Sequence, residues 1–322
     1  MESERTIKLK SFISGYLAGG DYKLDSIPSD AGLRSYYRIT AGDKSYVAMD
    51  CPPSYASIQK FVEIGKYLLE KGFTAPNIFA EESQEGFLIL EDFGSVNVKN
   101  YLQSGNYQEK KGVYFLIIDL LISLQEQTPL ASLTEFNDEI LCKELDVFVN
   151  FYIPHYYNRE LKVQEFNEFI ELWQSVLTKQ VPLLQVTVLR DYHLENLMYL
   201  EEREGVKKIG LLDFQDALKG SPVYDLVSIL EDARFEVPRE DALNLVNYYA
   251  EKKGLNKEEV LLNYHILGAQ RNFRILGVFA HKAIKEHDDY YLRFIPRVRK
   301  YLEYDLSHPV FEEIKNWLTK LL

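Results

Sequence analysis

The chain has 322 residues, 46% hydrophobic and 27% charged, which is the balance of a packed protein with one large domain or two lobes rather than a disordered one. Its formal charge of −12 argues against general affinity for nucleic acid or anionic lipid, which needs clustered Lys and Arg; no nucleic-acid, membrane or protein partner is expected. Two cysteines, Cys51 and Cys142, exclude a disulfide scaffold and a Cys-rich zinc module. The charged start Met1-Glu2-Ser3-Glu4-Arg5, with no apolar run near the ~20 residues of a membrane span, sets the expectation of a cytoplasmic protein.

Taken in chain order, residues 22–50 read as β-rich, with strands at 36–39 and 45–49. Ala41-Gly42-Asp43-Lys44 between them has hairpin chemistry, because Gly and Asp reach left-handed dihedrals cheaply. Pro52 and Pro53 end the second strand by removing ladder donors. Ile58, Phe61, Val62, Gly65, Leu68 and Leu69 recur at helical spacing and Gly72 closes that helix. Two further strands are expected at 75–80 and 86–90. Beyond Gly94 the pattern is helical, at 108–127, 139–157 and 165–180, with one interruption by short strand-like runs at 185–189, 197–200 and 208–212. From Pro222 onward the chain is helical again, broken near Pro238, Gly254 and Pro309. The expectation is an α+β chain: a small β-rich lobe over 1–92, then a larger, mostly helical lobe over 93–322, with a ligand cleft between them.

No G-x-x-x-x-G-K-[ST], G-x-G-x-x-G, H-E-x-x-H, C-x-x-C or G-x-S-x-G motif is present. The chemistry sits in the interruption. Leu189-Arg190-Asp191-Tyr192-His193-Leu194-Glu195-Asn196 places an Asp five positions before an Asn in a polar loop, and Asp213 ends the next apolar run. Phosphoryl transfer needs one carboxylate to orient the acceptor hydroxyl, and a carboxylate plus an amide to hold Mg²⁺ against the phosphates. Asp191, Asn196 and Asp213 supply those groups in that order.

This run, followed by Leu211-Leu212-Asp213-Phe214-Gln215-Asp216 and Gly220-Ser221-Pro222-Val223-Tyr224-Asp225-Leu226, resembles the aminoglycoside phosphotransferase family of protein-kinase-like enzymes. Ser29-Asp30-Ala31-Gly32-Leu33-Arg34-Ser35-Tyr36-Tyr37-Arg38, Val47-Ala48-Met49-Asp50-Cys51-Pro52-Pro53 and Ala269-Gln270-Arg271-Asn272-Phe273-Arg274 are similar, more narrowly, to its bacterial anomeric kinases of N-acetylmuramate and N-acetylglucosamine. The resemblance implies a two-lobed kinase-like fold and an ATP- and Mg²⁺-dependent transfer to an amino-sugar hydroxyl. It makes Asp191 the catalytic aspartate, and Asn196 and Asp213 the metal ligands. Ser29 to Arg34 would be the loop over the phosphates, Leu90, Glu91, Asp92 and Phe93 the hinge that meets adenine, and Asp225 a brace for the catalytic loop. Asp92-Phe93-Gly94 spells a kinase metal motif, but it lies at the hinge in chain order, so Asp213 is the expected ligand.

Two departures stand out. Leu189 occupies the position where kinase-like loops carry His, and Asp50 falls where a V-A-I-K strand has its phosphate-pairing Lys. A carboxylate there repels phosphate unless it turns away or shares a cation; Arg34 or Arg38 would then supply the missing charge. His193, Gln215 and Asp216 are candidate sugar contacts, each with structural bracing as the plainer reading. Arg271 and Arg274, three apart on one helix, would receive a muramyl carboxylate or else form ordinary ion pairs. Three other readings stay open: a kinase of an aminoglycoside, choline or homoserine; a nucleotide-binding pseudokinase, which Asp50 and Leu189 favour and the intact Asp191, Asn196 and Asp213 oppose; and a structural helical protein, which the same loop residues oppose.

Overall fold

A computed structural model describes residues 3–28, 34–53 and 58–321. In chain order the elements are α1 (Glu4–Tyr16), β1 (Lys23–Ile27), β2 (Ser35–Ala41), β3 (Lys44–Asp50), α2 (Gln59–Glu70), β4 (Ile78–Glu82), β5 (Phe87–Glu91), α3 (Val98–Gln103) and α4 (Tyr107–Lys110). Next come α5 (Val113–Gln125), α6 (Asp138–Lys143), α7 (Ile153–Tyr157), α8 (Val163–Leu177), β6 (Val186–Val188), β7 (Leu197–Tyr199), β8 (Ile209–Leu211) and β9 (Leu218–Gly220). Helices α9 (Val223–Leu230), α10 (Arg239–Lys253), α11 (Lys257–His281), α12 (Ile295–Leu306) and α13 (Glu312–Leu321) complete the chain. It divides into two compact units, Met1–Lys110 with Glu195–Asp216, and Lys111–Leu194 with Ala217–Leu322.

The first unit is built on an antiparallel sheet in the order β1-β2-β3-β5-β4. Alternation puts Ile39, Ala48, Phe87 and Ile89 on one face, where Leu9 and Ile13 of α1 bury against them. Each of those two side chains contributes about 1.5–3 kcal/mol by leaving water. The β2–β3 turn has Gly42 at φ 59, the left-handed geometry expected from the sequence. The strand expected at 75–80 begins only at Ile78: Pro76 cannot donate, and Thr74 bridges instead to Gly210 of the β7–β8 hairpin. Helix α1 gave little advance signal, since only Leu9 and Ile13 are fully buried, Phe12 and Tyr16 are half-buried and Ile7 is exposed.

The second unit is helical around α11, a 25-residue helix buried along most of its length. Phe148, Phe169, Trp173 and Phe273 pack edge to face in its core. The helix expected over 139–157 breaks into α6, a π-helical turn Phe148–Tyr152, and α7 with Pro154 in its first turn. That π-helical turn crosses α11 at Gly277, where a Cβ would come within 2.3 Å of the Phe148 nitrogen. Strands β6 and β9 pair antiparallel, Val186 opposite Gly220, and frame the loop that follows β6.

Candidate active site

In the second unit the loop after β6 is held by side chains reaching its backbone. Arg190 sits at φ 67, a left-handed conformation that costs a non-glycine residue about 1–3 kcal/mol. The buried Asp225 of α9 offsets that cost: its two oxygens accept the N–H groups of Leu189 (2.6 Å) and Arg190 (2.9 Å). One turn along α9, the Ser228 hydroxyl donates to the Arg190 carbonyl (3.1 Å). The far end is pinned by Asp232, which accepts the Leu194 N–H (3.2 Å), while the buried Tyr192 hydroxyl donates to the Ile117 carbonyl (2.8 Å). Asp191 is thereby presented, partly exposed, on a loop anchored at both ends. His193 is buried inside the loop and donates its backbone N–H to the Asp191 carbonyl (3.0 Å). Burial pushes the Asp225 carboxyl up to about 7, against the two N–H groups that favour its charge, and Asp191 adds to the rise.

The two arginines of α11 part company. Arg271 is buried behind the loop, donating to the Ser228 hydroxyl (3.0 Å) and the Glu231 carbonyl (3.4 Å). Arg274 is part-exposed, its Nε 3.5 Å from Glu144, and Glu144 also pairs with Arg190. Burial disfavours the Arg274 charge, yet Tyr224, Glu144 and Asp191 around it favour it more, and the net direction is up.

In the first unit the β7–β8 ladder brings Asn196 and Asp213 to one end of a hairpin. Leu197 pairs with Leu211, and the Asn196 carbonyl accepts the Leu212 N–H (2.9 Å), one residue before Asp213. The hairpin is fastened by main-chain bonds from Leu211 to Thr74 (2.7 Å) and from Tyr199 to Val96 (2.8 Å). Asp213 is left-handed at φ 55, and the next residue, Phe214, is buried and stacks on Phe61 of α2 at 4.9 Å. Gly65 of α2 makes room for that ring, since a Cβ there would stand 3.3 Å from it. Gln215 is buried and its amide donates to Asp213 Oδ1 (2.8 Å) and to Asp216 Oδ2 (3.1 Å), Asp216 itself being exposed. Tyr36 of β2 lies in the same electrostatic neighbourhood: burial pushes its hydroxyl up, with Asp213 adding and Arg34 opposing.

In the segment expected to be the hinge, Leu90 is buried and pairs with Val47 of β3; Glu91 donates its N–H to the Asn77 carbonyl (2.9 Å), and its carboxylate takes Asn77 (2.6 Å) and Arg203 (2.5 Å). The Asp92 carboxylate accepts Arg38 (2.7 Å), Ser45 and the Gly94 N–H (2.9 Å). Burial works to raise this carboxyl, but those partners outweigh it and hold it below the usual range. Asp92 therefore ties β2 and β3 to the segment that follows β5, and the Arg38 guanidinium is committed to Asp92 and the Gly94 carbonyl (2.8 Å). Asp50, two residues beyond Ala48, turns to the α1 face of the sheet, where Arg5 pairs with it through Nε (2.7 Å) and Nη2. The carboxylate that stood in place of a phosphate-pairing lysine has its own cation. Ser29 and the rest of 29–33 lie outside the described residues.

Sequence reading overlooked Asp232 and Glu144. Their signal was weak: acidic residues in apolar helical surroundings, visible only once the loop they serve is placed. Among the described residues no group of three or more His, Cys, Asp and Glu could hold a metal by itself, and no helix is long and apolar enough to cross a membrane.

The fold is that of the kinase-like small-molecule phosphotransferases. The chain belongs to the phosphotransferase enzyme family, whose model matches residues 23–260. It is similar to the N-acetylmuramate/N-acetylglucosamine kinase of Caulobacter vibrioides, 30% identical over 99% of this chain and 97% of that protein. The N-acetylmuramate/N-acetylglucosamine kinase of Neisseria meningitidis serogroup B is 32% identical over 93% and 90%. Among solved structures, choline kinase LicA from Streptococcus pneumoniae superposes with a TM-score of 0.65 at 15% identity, over 94% of this chain and 100% of that one. ADP-bound aminoglycoside phosphotransferase APH(2'')-Ib gives 0.61 at 14% identity, over 92% and 96%.

Proposed function

We propose that the chain transfers the γ-phosphoryl group of ATP to the anomeric hydroxyl of N-acetylmuramate or N-acetylglucosamine, yielding the sugar 1-phosphate that cell-wall sugar recycling would consume. The observation that carries the reading is the doubly anchored Asp191 loop in a chain similar, along nearly its full length, to kinases of those sugars. Asp191 orients the anomeric hydroxyl and takes its proton as the new O–P bond forms; the bond from the γ-phosphorus to the bridging oxygen breaks and its electron pair leaves with ADP. Holding that geometry is the main catalytic contribution of the loop.

The donor set suits magnesium. Asn196 offers an amide oxygen and Asp213 a carboxylate, hard ligands of the kind Mg²⁺ takes together with substrate phosphates. Bound there, the ion would neutralise charge on the transferring phosphoryl group. In this reading the main chain of Leu90 to Phe93 meets adenine, with the Glu91 N–H already engaged by Asn77. Arg34 is the last residue of the run Ser29 to Arg34 read as the phosphate loop, and it supplies the positive charge there. Arg274, part-exposed beside Glu144 and within the field of Asp191, faces the lactyl carboxylate that distinguishes muramate from glucosamine, while Arg271 supports the loop from behind.

The test is ADP release with Mg·ATP against N-acetylmuramate, N-acetylglucosamine, kanamycin, choline and homoserine, with Asp191→Asn alongside. Turnover on the two N-acetylated sugars, lowered about 10²–10⁴-fold in the variant, is expected. Turnover on kanamycin, choline or homoserine alone would discard the sugar, and nucleotide binding without any turnover would make the chain a pseudokinase. Arg274→Gln should cost N-acetylmuramate far more than N-acetylglucosamine.

A further inference from the structure

Gln215 has no role in the sugar reading that its geometry supports; its amide points at Asp213. We infer that Gln215 is a positioning residue for the metal site, one that sets the orientation of the Asp213 carboxylate. The inference rests on the reading of Asp213 as a metal ligand.

A carboxylate on a short side chain rotates easily, so a ligand that must offer one oxygen in one direction gains from a second contact that holds the other. Gln215 supplies that contact: Nε2 donates to Asp213 Oδ1 at 2.8 Å. The same nitrogen donates its second hydrogen to Asp216 Oδ2 at 3.1 Å. A carboxamide nitrogen has two hydrogens, and both are spent on carboxylates. That settles the orientation of the amide, because flipping it would set Oε1 against two acids. Oε1 is accordingly turned into the interior and has no hydrogen-bond partner among the described residues. A buried acceptor left without a donor is a cost that packing alone does not ask for; an apolar side chain of similar volume would avoid it. The side chain is 3% exposed, which locks the amide in place. Asp213 itself is held at φ 55, with its ring neighbour Phe214 stacked on Phe61, so main chain and carboxylate are fixed independently.

The experiment measures Mn²⁺ binding to the ADP-loaded protein, by the electron paramagnetic resonance signal of free Mn²⁺, in the wild type, Gln215→Met, Gln215→Glu and Asp213→Asn. Methionine keeps the volume and removes both donors. Gln215→Met should weaken Mn²⁺ about 10–100-fold, the usual range for a residue that orients a metal ligand. In turnover assays it should raise the KM for Mg²⁺ while kcat at saturating Mg²⁺ stays within a few-fold of wild type. Gln215→Glu, which sets a third carboxylate against Asp213 and Asp216, should alter the Mn²⁺ affinity at least as much. Unchanged Mn²⁺ affinity in Gln215→Met, with binding lost in Asp213→Asn, would overturn the role of Gln215 alone. Unchanged affinity in Asp213→Asn would remove the metal-ligand reading and this inference with it. A loss of kcat that excess Mg²⁺ does not restore would assign Gln215 to packing and contradict the inference.

Discussion

The loop that presents Asp191 and the hairpin end that carries Asn196 and Asp213 are held in different ways. Around Asp191 the holding groups are buried acids: Asp225 and Asp232 receive backbone N–H groups at the two ends of the loop. Around Asp213 the holding is done by a main-chain ladder, the Thr74 and Val96 ties, and the Phe214–Phe61 stack. The first arrangement is electrostatic and depends on protonation; the second is dispersion and backbone pairing and should not. A little behind the loop, Glu231 and Asp305 are both buried, and burial raises both well above the usual carboxylate range; the charge of Asp305 adds to the rise at Glu231, whereas Glu231, Arg239 and Asn272 oppose it at Asp305, the Asn272 amide being bonded to each (2.7 and 3.1 Å). Burial of this kind favours the protonated carboxyl over the charged one.

The largest effect that separates the two regions is predicted for Phe214→Ala, which should cost about 3–5 kcal/mol in a urea melt at any pH between 5 and 8. A strongly pH-dependent loss would contradict the hairpin half of the comparison. Asp225→Ala comes next: it orphans the buried Leu189 N–H, at about 1–3 kcal/mol, and the part-buried Arg190 N–H, and it releases the strained Arg190. It should lower kcat more than the KM for ATP, and equal effects on both would place Asp225 outside the presentation of Asp191. The pH dependence sharpens the contrast further. Asp225, Glu231 and Asp305 have folded pKa values above their unfolded ones, so the stability they lend is full below about pH 4 and is lost as pH rises, by about 7 for Asp225. Asp92 in the first unit runs the other way, stabilising above its unfolded value and losing that as pH falls. Melting followed through the helical unit should therefore weaken from pH 5 to pH 8, and Asp305→Asn should flatten the slope; a steeper slope would contradict the raised Asp305 carboxyl. The smallest effect is expected from Arg5→Ala, about 1 kcal/mol through the loss of the Asp50 partner, with ATP affinity little changed because Asp50 faces α1. A large fall in ATP affinity would put Asp50 at the phosphates after all.

Much of this was legible wherever the determinant is local in sequence. The strands β2, β3 and β5 and helix α2 follow from alternation and helical spacing, and the Asp191, Asn196 and Asp213 spacing is a local motif on a loop and two short strands. What the sequence hid are partnerships between distant residues. Arg5 and Asp50 are 45 positions apart, Arg38 and Asp92 54, and Leu194 and Asp232 38. Nothing in composition or periodicity says that two such side chains meet. Strand β9 was missed for the same reason: three residues, Leu218–Gly220, become a strand only when β6 pairs with them. The two α11 arginines looked equivalent at helical spacing; packing against α9 buries one and leaves the other part-exposed.

The central claim is transfer to an anomeric hydroxyl, and phosphorus-31 NMR of the reaction product tests it most directly. With Mg·ATP and N-acetylmuramate or N-acetylglucosamine, the account predicts a sugar 1-phosphate resonance coupled to the anomeric proton, and no product from the corresponding methyl glycosides. A 6-phosphate signal, or phosphorylation of the methyl glycosides, would contradict it.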